Sequence, residues 1–296
     1  MIKDFIEMKN YEYYENISLK KYNSYKLDVI AKYLIFPNNE DELIELLIFI
    51  RDNNIKYIVL GNGSNVIFAN DYYDGVVIRL DKINNIEINN KIIKVGAGYS
   101  LTKLAMEVSK MGLSGLEFAV GIPGYVGASV AMNAGAYTHS MSEIVKSVRV
   151  INSNGEIDTF DRERIDFEYR DSFFKKNKDY IIVSCELSLN DGDKEEIMEK
   201  IEKRKIRRLE SQPLDYPSAG SVFRNPVGMY AGKIIEDIGM KGYKIGGAMI
   251  SLKHANFIIN YNNATGKDII LLIDMIKKKV KEKYDIDLIL EQIIVD

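Results

Sequence analysis

An α+β fold is predicted by three features of the chain. Short Ile/Val-rich segments with strand character are interspersed with helices whose apolar residues recur at helical spacing. A β-α-β unit is legible near the N-terminus, and a helix followed by a strand closes the C-terminus. Between them lies a long glycine-rich stretch with neither period.

The first clear unit runs from Ala31 to Phe68. Tyr33–Phe36 reads as a short strand ending at Pro37, and Asn39 with Glu42 resembles a capping box opening a helix through Leu43, Leu46, Leu47 and Ile50. Ile55–Leu60 is the second strand of the unit, and the chain then turns through Gly61–Asn65. From Val76 to Val95 strand-like segments are separated by Asn and Lys turns. Leu101, Leu104, Ala105, Val108 and Met111 share one helical face, with Ser100 as cap and Gly112 as stop. Strands resume at Ser147–Ile151, followed by an Asn154-Gly155 turn, and at Tyr180–Leu189. A charged helix from about Asp193 to Leu209 marks a boundary. A last helix, Lys267 to Lys283, carries the stripe Ile269, Ile273, Ile276 and Val280, and a strand from Ile286 to Val295 ends the chain.

A chain of 296 residues suggests two or three domains, and 46% hydrophobic residues suffice for a sizeable core. The net charge of −3, with both signs interspersed, argues against a nucleic-acid binder with a basic face. An anionic substrate therefore needs a local basic pocket. Cys185 is the only cysteine, so no internal disulfide forms, and with only His139 and His254 a multi-histidine metal site is excluded. Met1 to Tyr14 carries Asp4, Glu7 and Glu12 where a signal peptide needs an apolar run. The apolar run Leu43–Ile50 is broken by Glu45 and is too short to span a bilayer. A soluble, cytoplasmic, monomeric protein with no nucleic-acid or membrane partner is expected.

Two segments could carry chemistry. Gly61-Asn62-Gly63-Ser64-Asn65 follows a strand, and reads either as an ordinary turn or as a loop whose N–H groups converge on a phosphate. The dinucleotide pattern G-x-G-x-x-G is absent, since Gly61/Gly63 is followed by Val66 and Gly96/Gly98 by Leu101; no Walker loop is present either. The second segment runs from Gly112 to Phe118, then Gly121 to Ala128, then Asn133 to Tyr137. So many small residues fit a main chain wrapped around a flat or extended ligand, and equally a tight domain crossover.

The ordered series Leu60–Asn65, Gly115–Phe118, Gly121–Gly124 and Asn133–Tyr137 resembles the UDP-N-acetylenolpyruvoylglucosamine reductases. It continues through Phe167–Ser172, Tyr216–Pro226, Lys241–Ala248 and Leu288–Glu291, so the likeness covers nearly the whole chain. The resemblance implies an FAD-binding domain of the vanillyl-alcohol-oxidase type, which needs no Rossmann fingerprint, and a C-terminal α+β substrate-binding domain. Residues 1–78 and 285–296 would form the first FAD-binding subdomain, 79–191 the second, and 192–284 the substrate-binding domain. Gly61, Asn62, Gly63, Ser64 and Asn65, with Gly121, Ile122, Pro123, Gly124, Gly127 and Ala128, would cradle the FAD pyrophosphate and flank the isoalloxazine. NADPH would reduce the flavin, and the hydride would pass to the enolpyruvyl carbon distal to the carboxylate, giving UDP-N-acetylmuramate.

By the same resemblance Arg170, Ser221 and Glu291 form the catalytic set. The Arg170 guanidinium suits a carboxylate onto which charge builds. Glu291 shares that role as a proton-bearing or hydrogen-bonding partner, with its pKa raised, and Ser221 delivers the proton. Tyr137, Asn225, Lys241 and His254 match substrate-binding positions; for His254 a structural role is the alternative. Read singly, Arg170 is a surface or ion-pair residue and Ser221 a turn residue, whereas Glu291 in an apolar strand wants a partner. The chain also departs from the family. Asn225-Pro226 passes almost directly into Tyr230–Lys233, without the tyrosine-bearing loop of one subgroup, and Ile289 and Ile293 replace a common Glu and Arg. The rival readings are another flavin oxidoreductase of the same fold and a non-catalytic flavin- or UDP-sugar-binding sensor. No histidine lies in either FAD loop to attach the flavin as many such oxidases do, and a sensor has no need of the serine donor.

Overall fold

The computed structural model describes residues 1–296. The chain forms two compact units: Met1–Glu15, Tyr33–Gly61 and Gly75–Ile206 in the first, and Asn16–Lys32, Asn62–Asp74 and Arg207–Asp296 in the second. This division is interleaved where the three segments read from the sequence are nearly contiguous. The helix Lys194–Ser211, read as opening the third segment, counts to the first unit through Ile206. No helix is long and apolar enough to cross a membrane.

The helix Glu40–Asp52 starts where the sequence places it, with the Asn39 side chain accepting the Glu42 N–H at 2.9 Å. The reciprocal half of the expected capping box is shifted by one residue, because the Glu42 carboxylate takes the N–H of Asn38 instead of that of Asn39. Leu43, Leu46, Leu47 and Ile50 are buried, as their spacing requires. The flanking strands, Ile30–Phe36 and Tyr57–Val59, are not neighbours. The sheet runs in the order Glu12–Ser18, Ile30–Phe36, Tyr72–Ile78, Tyr57–Val59. Val76, Val77 and Ile78 are consecutive and fully buried, which suits a strand covered on both faces and explains why it takes an interior place.

A second sheet is antiparallel throughout, in the order Ile157–Asp161, Val145–Asn152, Tyr180–Ser188, Ile92–Gly96, Ile86–Asn89. Its first hairpin turns at Asn154-Gly155. Only Gly155 is left-handed (φ +80°), and Asn152 accepts its N–H, so the turn is longer than the two-residue form the Asn-Gly pair suggests. The helix Leu101–Lys110 is capped by Ser100 and followed by left-handed Gly112. The glycine-rich stretch, read as aperiodic, contains the short helix Val126–Ala131. Six residues show no period. Packing fixes this helix instead: the Gly127 N–H donates to the Ala97 carbonyl, and a Cβ on Gly127 would stand 2.6 Å from that of Ala97.

In the second unit the helix Gly266–Tyr284 opens with a full capping box between Thr265 and Asp268. It buries Ile269, Leu272, Ile273, Ile276 and Val280. The antiparallel strands Lys244–Ile245, Ala248–Ile250 and Ile258–Asn260 form a small sheet. The C-terminal segment is not one strand from Ile286 to Val295. Leu290 bridges Phe223, whereas Ile293–Val295 pairs in parallel with Val66–Phe68, so the chain changes partner around Gln292.

Candidate active site

In the first unit the two segments read as cofactor-binding meet at one point. Gly61 faces Ala128 so closely that a Cβ on Gly61 would lie 2.9 Å from that of Ala128. Gly124 is equally confined, 2.9 Å from the Ser129 hydroxyl, and its carbonyl accepts the Leu101 N–H. The Ile122 carbonyl accepts from the Thr102 hydroxyl, which holds the Gly121–Pro123 turn on the helix Leu101–Lys110.

Arg79, missed in the sequence reading, joins these segments. Its Nη1 donates to the Gly61 carbonyl at 2.7 Å, its Nε and Nη2 to the Asp81 carboxylate at 2.8 and 2.7 Å, and Nη2 also to the Tyr125 hydroxyl at 2.8 Å. The Tyr125 hydroxyl in turn donates to Asp81 at 2.7 Å. Arg79 is 4% exposed. Burial would raise the Asp81 pKa, but hydrogen bonds from Arg79 and Tyr125 outweigh it and hold the carboxyl below its ordinary value. Burial, with Asp81 beside it, pushes the Tyr125 hydroxyl up to about 12. A signal was present in the sequence: an arginine directly after Val76-Val77-Ile78 must find an acidic partner once buried.

Arg79→Met is therefore expected to weaken FAD binding about tenfold and to destabilise the fold by roughly 2 kcal/mol, less than for a fully buried pair because Asp81 is partly exposed. Fluorescence titration and thermal unfolding measure the two effects. The folded-state pKa of Asp81 is depressed, so its contribution is present above the ordinary aspartate pKa of about 3.9 and fades as pH falls through the lower folded value. The stability gap between wild type and variant should accordingly narrow below about pH 4, leaving the part due to the Arg79 bonds to Gly61 and Tyr125.

In the second unit, Gly63 is left-handed (φ +63°), and a Cβ there would lie 2.1 Å from the Tyr22 carbonyl oxygen. The Gly63 carbonyl accepts from the Ser24 N–H, and the Asn65 carbonyl from the Ile293 N–H. The side-chain amide of Asn65 donates to the Glu291 carbonyl at 3.2 Å. No main-chain carbonyl takes the N–H groups of Gly61, Asn62 or Gly63. Bare amides on a glycine loop whose Cβ positions are closed suit a pyrophosphate, so the residues present fit FAD.

The segments that carry Ser221 and Glu291 are hydrogen-bonded to each other within the second unit. Glu291 N–H donates to the Val222 carbonyl at 2.8 Å, and Arg224 N–H to that of Ile289 at 2.9 Å. On the other side the buried Asn256 side chain pairs with both main-chain groups of Phe223, at 3.0 and 2.8 Å. The serine segment is thus held between two neighbours, immediately after the left-handed Gly220 (φ +73°). Arg170 belongs to the first unit. It is half-buried and itself left-handed (φ +56°), an uncommon conformation for an arginine. Its Nη2 donates to the Gly135 carbonyl, which fixes the guanidinium on the Asn133–Tyr137 segment.

The residues read as substrate contacts have local partners. Tyr137 donates to the Arg204 carbonyl at 3.1 Å and lies under the Arg204 guanidinium. The Asn225 side-chain Oδ1 accepts the Ala231 N–H at the start of the helix Ala231–Asp237, and Lys241 pairs with Glu236 at 2.8 Å. His254 Nδ1 accepts the Asn256 N–H at 3.2 Å, which leaves the proton of a neutral ring on Nε2. Burial and the nearby Lys241 lower its pKa. His254 is therefore a neutral hydrogen-bond donor at physiological pH.

The glycine segments and the sheets around them lie where a family model described as an FAD binding domain matches, over residues 31–161. The chain is thus built as an FAD-binding protein with a C-terminal α+β domain. Residues 212–295 match the model described as UDP-N-acetylenolpyruvoylglucosamine reductase, C-terminal domain. Relatives of that name are 42% identical in Caldanaerobacter subterraneus, over 96% of this chain and 94% of the relative, and 40% identical in Bacillus subtilis, over 92% and 90%. The crystal structure of UDP-N-acetylenolpyruvylglucosamine reductase from Thermus caldophilus superposes with a TM-score of 0.82 at 33% identity, covering 97% of this chain and 99% of that one. The chain belongs to the UDP-N-acetylenolpyruvoylglucosamine reductase family.

Proposed function

We propose that the protein reduces UDP-N-acetylglucosamine enolpyruvate to UDP-N-acetylmuramate, with FAD as its cofactor and NADPH as reductant, in the synthesis of the peptidoglycan precursor. Within the family framework, the observation that carries the residue roles is the hydrogen-bonded adjacency of the Ser221 and Glu291 segments, with Glu291 N–H on the Val222 carbonyl at 2.8 Å. FAD, held by Gly61 to Asn65 with Gly121 to Gly124, Gly127 and Ala128, would supply hydride chemistry at the enolpyruvyl methylene carbon, the hydride coming from NADPH. Arg170 holds the substrate carboxylate, onto which the displaced electron pair spreads, and Glu291 in its protonated form adds a hydrogen bond there. Ser221 gives its hydroxyl proton to the carbon bearing the carboxylate, and solvent returns a proton to the serine.

Gly61 to Asn65, with Gly121 to Gly124, Gly127 and Ala128, form the cofactor cradle in this proposal. Tyr137, Asn225, Lys241 and His254 serve the nucleotide sugar. For that, Lys241 exchanges Glu236 for a phosphate, and the Nε2–H of His254 donates to a polar group. Residues 1–78 with 285–296 and residues 79–191 are the two FAD-binding subdomains, and 192–284 the substrate-binding domain. The parallel pairing of Ile293–Val295 with Val66–Phe68 supports joining the C-terminus to the first, and the antiparallel sheet within 86–188 supports the second. A cytoplasmic monomer completes the proposal.

Its test is NADPH oxidation by the purified protein with and without UDP-N-acetylglucosamine enolpyruvate, after recording the visible spectrum. A flavin spectrum and oxidation dependent on the enolpyruvyl substrate are expected. Oxidation indifferent to that substrate would move the protein to another flavin oxidoreductase class. A protein unable to take up FAD would overturn the cofactor assignment.

A further inference from the structure

Gln292 is 3% exposed and lies where the C-terminal segment changes strand partner. Its Nε2 donates to the carbonyls of Ala219 at 2.9 Å and Gly220 at 3.3 Å, the two residues immediately before Ser221. Its Oε1 accepts the hydroxyl of Tyr25, a side chain with no exposed surface, at 3.0 Å. Both ends of the amide are thus engaged, and burial raises the Tyr25 pKa so that the phenol remains a donor. Gly220 is left-handed with nothing within 4 Å of where a Cβ would stand, so no side-chain contact at Gly220 itself holds the turn there. The Gln292 amide does, from one side, while Val222 and Phe223 are held from the other by Glu291 and Asn256.

We propose that Gln292, oriented by Tyr25, is a positioning residue that sets the Ser221 hydroxyl in register with Glu291 for protonation of the substrate carbon. The inference rests on the assignment of Ser221 as proton donor. An apolar residue following Glu291 would continue the strand equally well. A buried amide at that position satisfies two carbonyls that otherwise face an apolar interior, and it makes the serine turn rigid. With its amide engaged at both ends by Tyr25, Ala219 and Gly220, Gln292 acts through the serine turn. Its effect is confined to the proton transfer and to the placement of one hydroxyl, where a displacement of 1 Å costs on the order of 100-fold in rate.

The test uses the full-length FAD-loaded protein in stopped flow, with the flavin absorbance reporting two steps: reduction by NADPH, and reoxidation by UDP-N-acetylglucosamine enolpyruvate. Gln292→Met keeps the volume and removes all three hydrogen bonds of the side chain. It is expected to reduce at the wild-type rate and reoxidise at least about tenfold more slowly, with a larger solvent deuterium isotope effect on reoxidation. Tyr25→Phe, which removes only the orienting hydroxyl, should slow reoxidation about threefold. Gln292→Glu supplies a rescue with its own signature. Its protonated carboxyl can donate to Ala219 and accept from Tyr25, so reoxidation should recover as pH falls and fail as pH rises, with a second titrating group beside Glu291 that the wild type lacks. Reoxidation by Gln292→Met at the wild-type rate, with Ser221→Ala slowed, overturns the positioning role and leaves the serine assignment standing. Wild-type reoxidation in both variants overturns the serine assignment itself. Equal slowing of both steps by Gln292→Met assigns Gln292 to general folding and overturns the proposal. If that variant does not fold, the pH profile of Gln292→Glu decides, and a profile that coincides with the wild type's is the overturning result.

Discussion

Ser221→Ala should bind FAD, accept hydride from NADPH at the wild-type rate, and turn over the enolpyruvyl substrate about 10² to 10⁴ times more slowly, the contribution expected of a placed general acid. The substitution removes one oxygen from a half-buried side chain beside a turn whose main chain is held by hydrogen bonds to Gln292 and Asn256. The fold should therefore be unchanged to within about 0.5 kcal/mol. Separating the two half-reactions isolates the step. Loss of both would place Ser221 at the flavin rather than at the substrate carbon, and unchanged turnover would show that the proton comes from elsewhere.

A second large effect is expected from Gly63→Ala. The added methyl would lie 2.1 Å from the Tyr22 carbonyl oxygen and 2.7 Å from the Asn23 Cα, both main-chain atoms that cannot swing aside. The left-handed φ of +63° adds strain of about 1–2 kcal/mol for any residue with a Cβ. With overpacking of about 1–3 kcal/mol, the stability loss is roughly 2–5 kcal/mol. The loop can relieve the clash only by moving its N–H groups, so FAD affinity should fall by at least about 100-fold, or roughly 2.7 kcal/mol. Gly228→Ala is the control, because Gly228 has φ +71° but nothing within 4 Å of the added methyl. It should show the backbone strain alone. Equal losses for the two variants in thermal unfolding, with FAD retained by both, would refute the assignment of Gly63 to the cofactor loop.

Much of the local structure was legible in the residues because its causes are local. Ser100 and Asn39 each cap the helix their position announces, through a side-chain oxygen accepting an N–H three residues on. The stripe Ile269, Ile273, Ile276 and Val280 is buried because helical spacing puts it on one face. Where the reading went astray, the cause is non-local. Tyr72–Ile78 enters between the two strands of the N-terminal β-α-β unit, and pairing order is not written in any single strand's pattern. The helix Val126–Ala131 is too short for periodicity and depends on Gly127 lying against Ala97. An apolar run from Ile286 to Val295 looks like one strand, yet it serves two partners in turn.

The site divides in the same way. The ordered motifs determined the family, the glycine segments and the three residues offered for catalysis, because chemistry restricts which side chains can stand there. Arg79, Asp81, Tyr125 and Gln292 carry no motif. Each is a polar group whose burial requires partners remote in sequence: Gln292 is satisfied by Tyr25, Ala219 and Gly220, and Arg79 by Gly61 and Tyr125 as well as by Asp81 two residues away. The sequence by itself determined what kind of protein this is and where its helices begin. Only the tertiary structure decided which strands are neighbours and which buried amide and guanidinium hold the serine turn and the glycine segments. The physical reason is that a buried polar group is satisfied by whatever the fold places beside it, and that placement is a property of the whole chain.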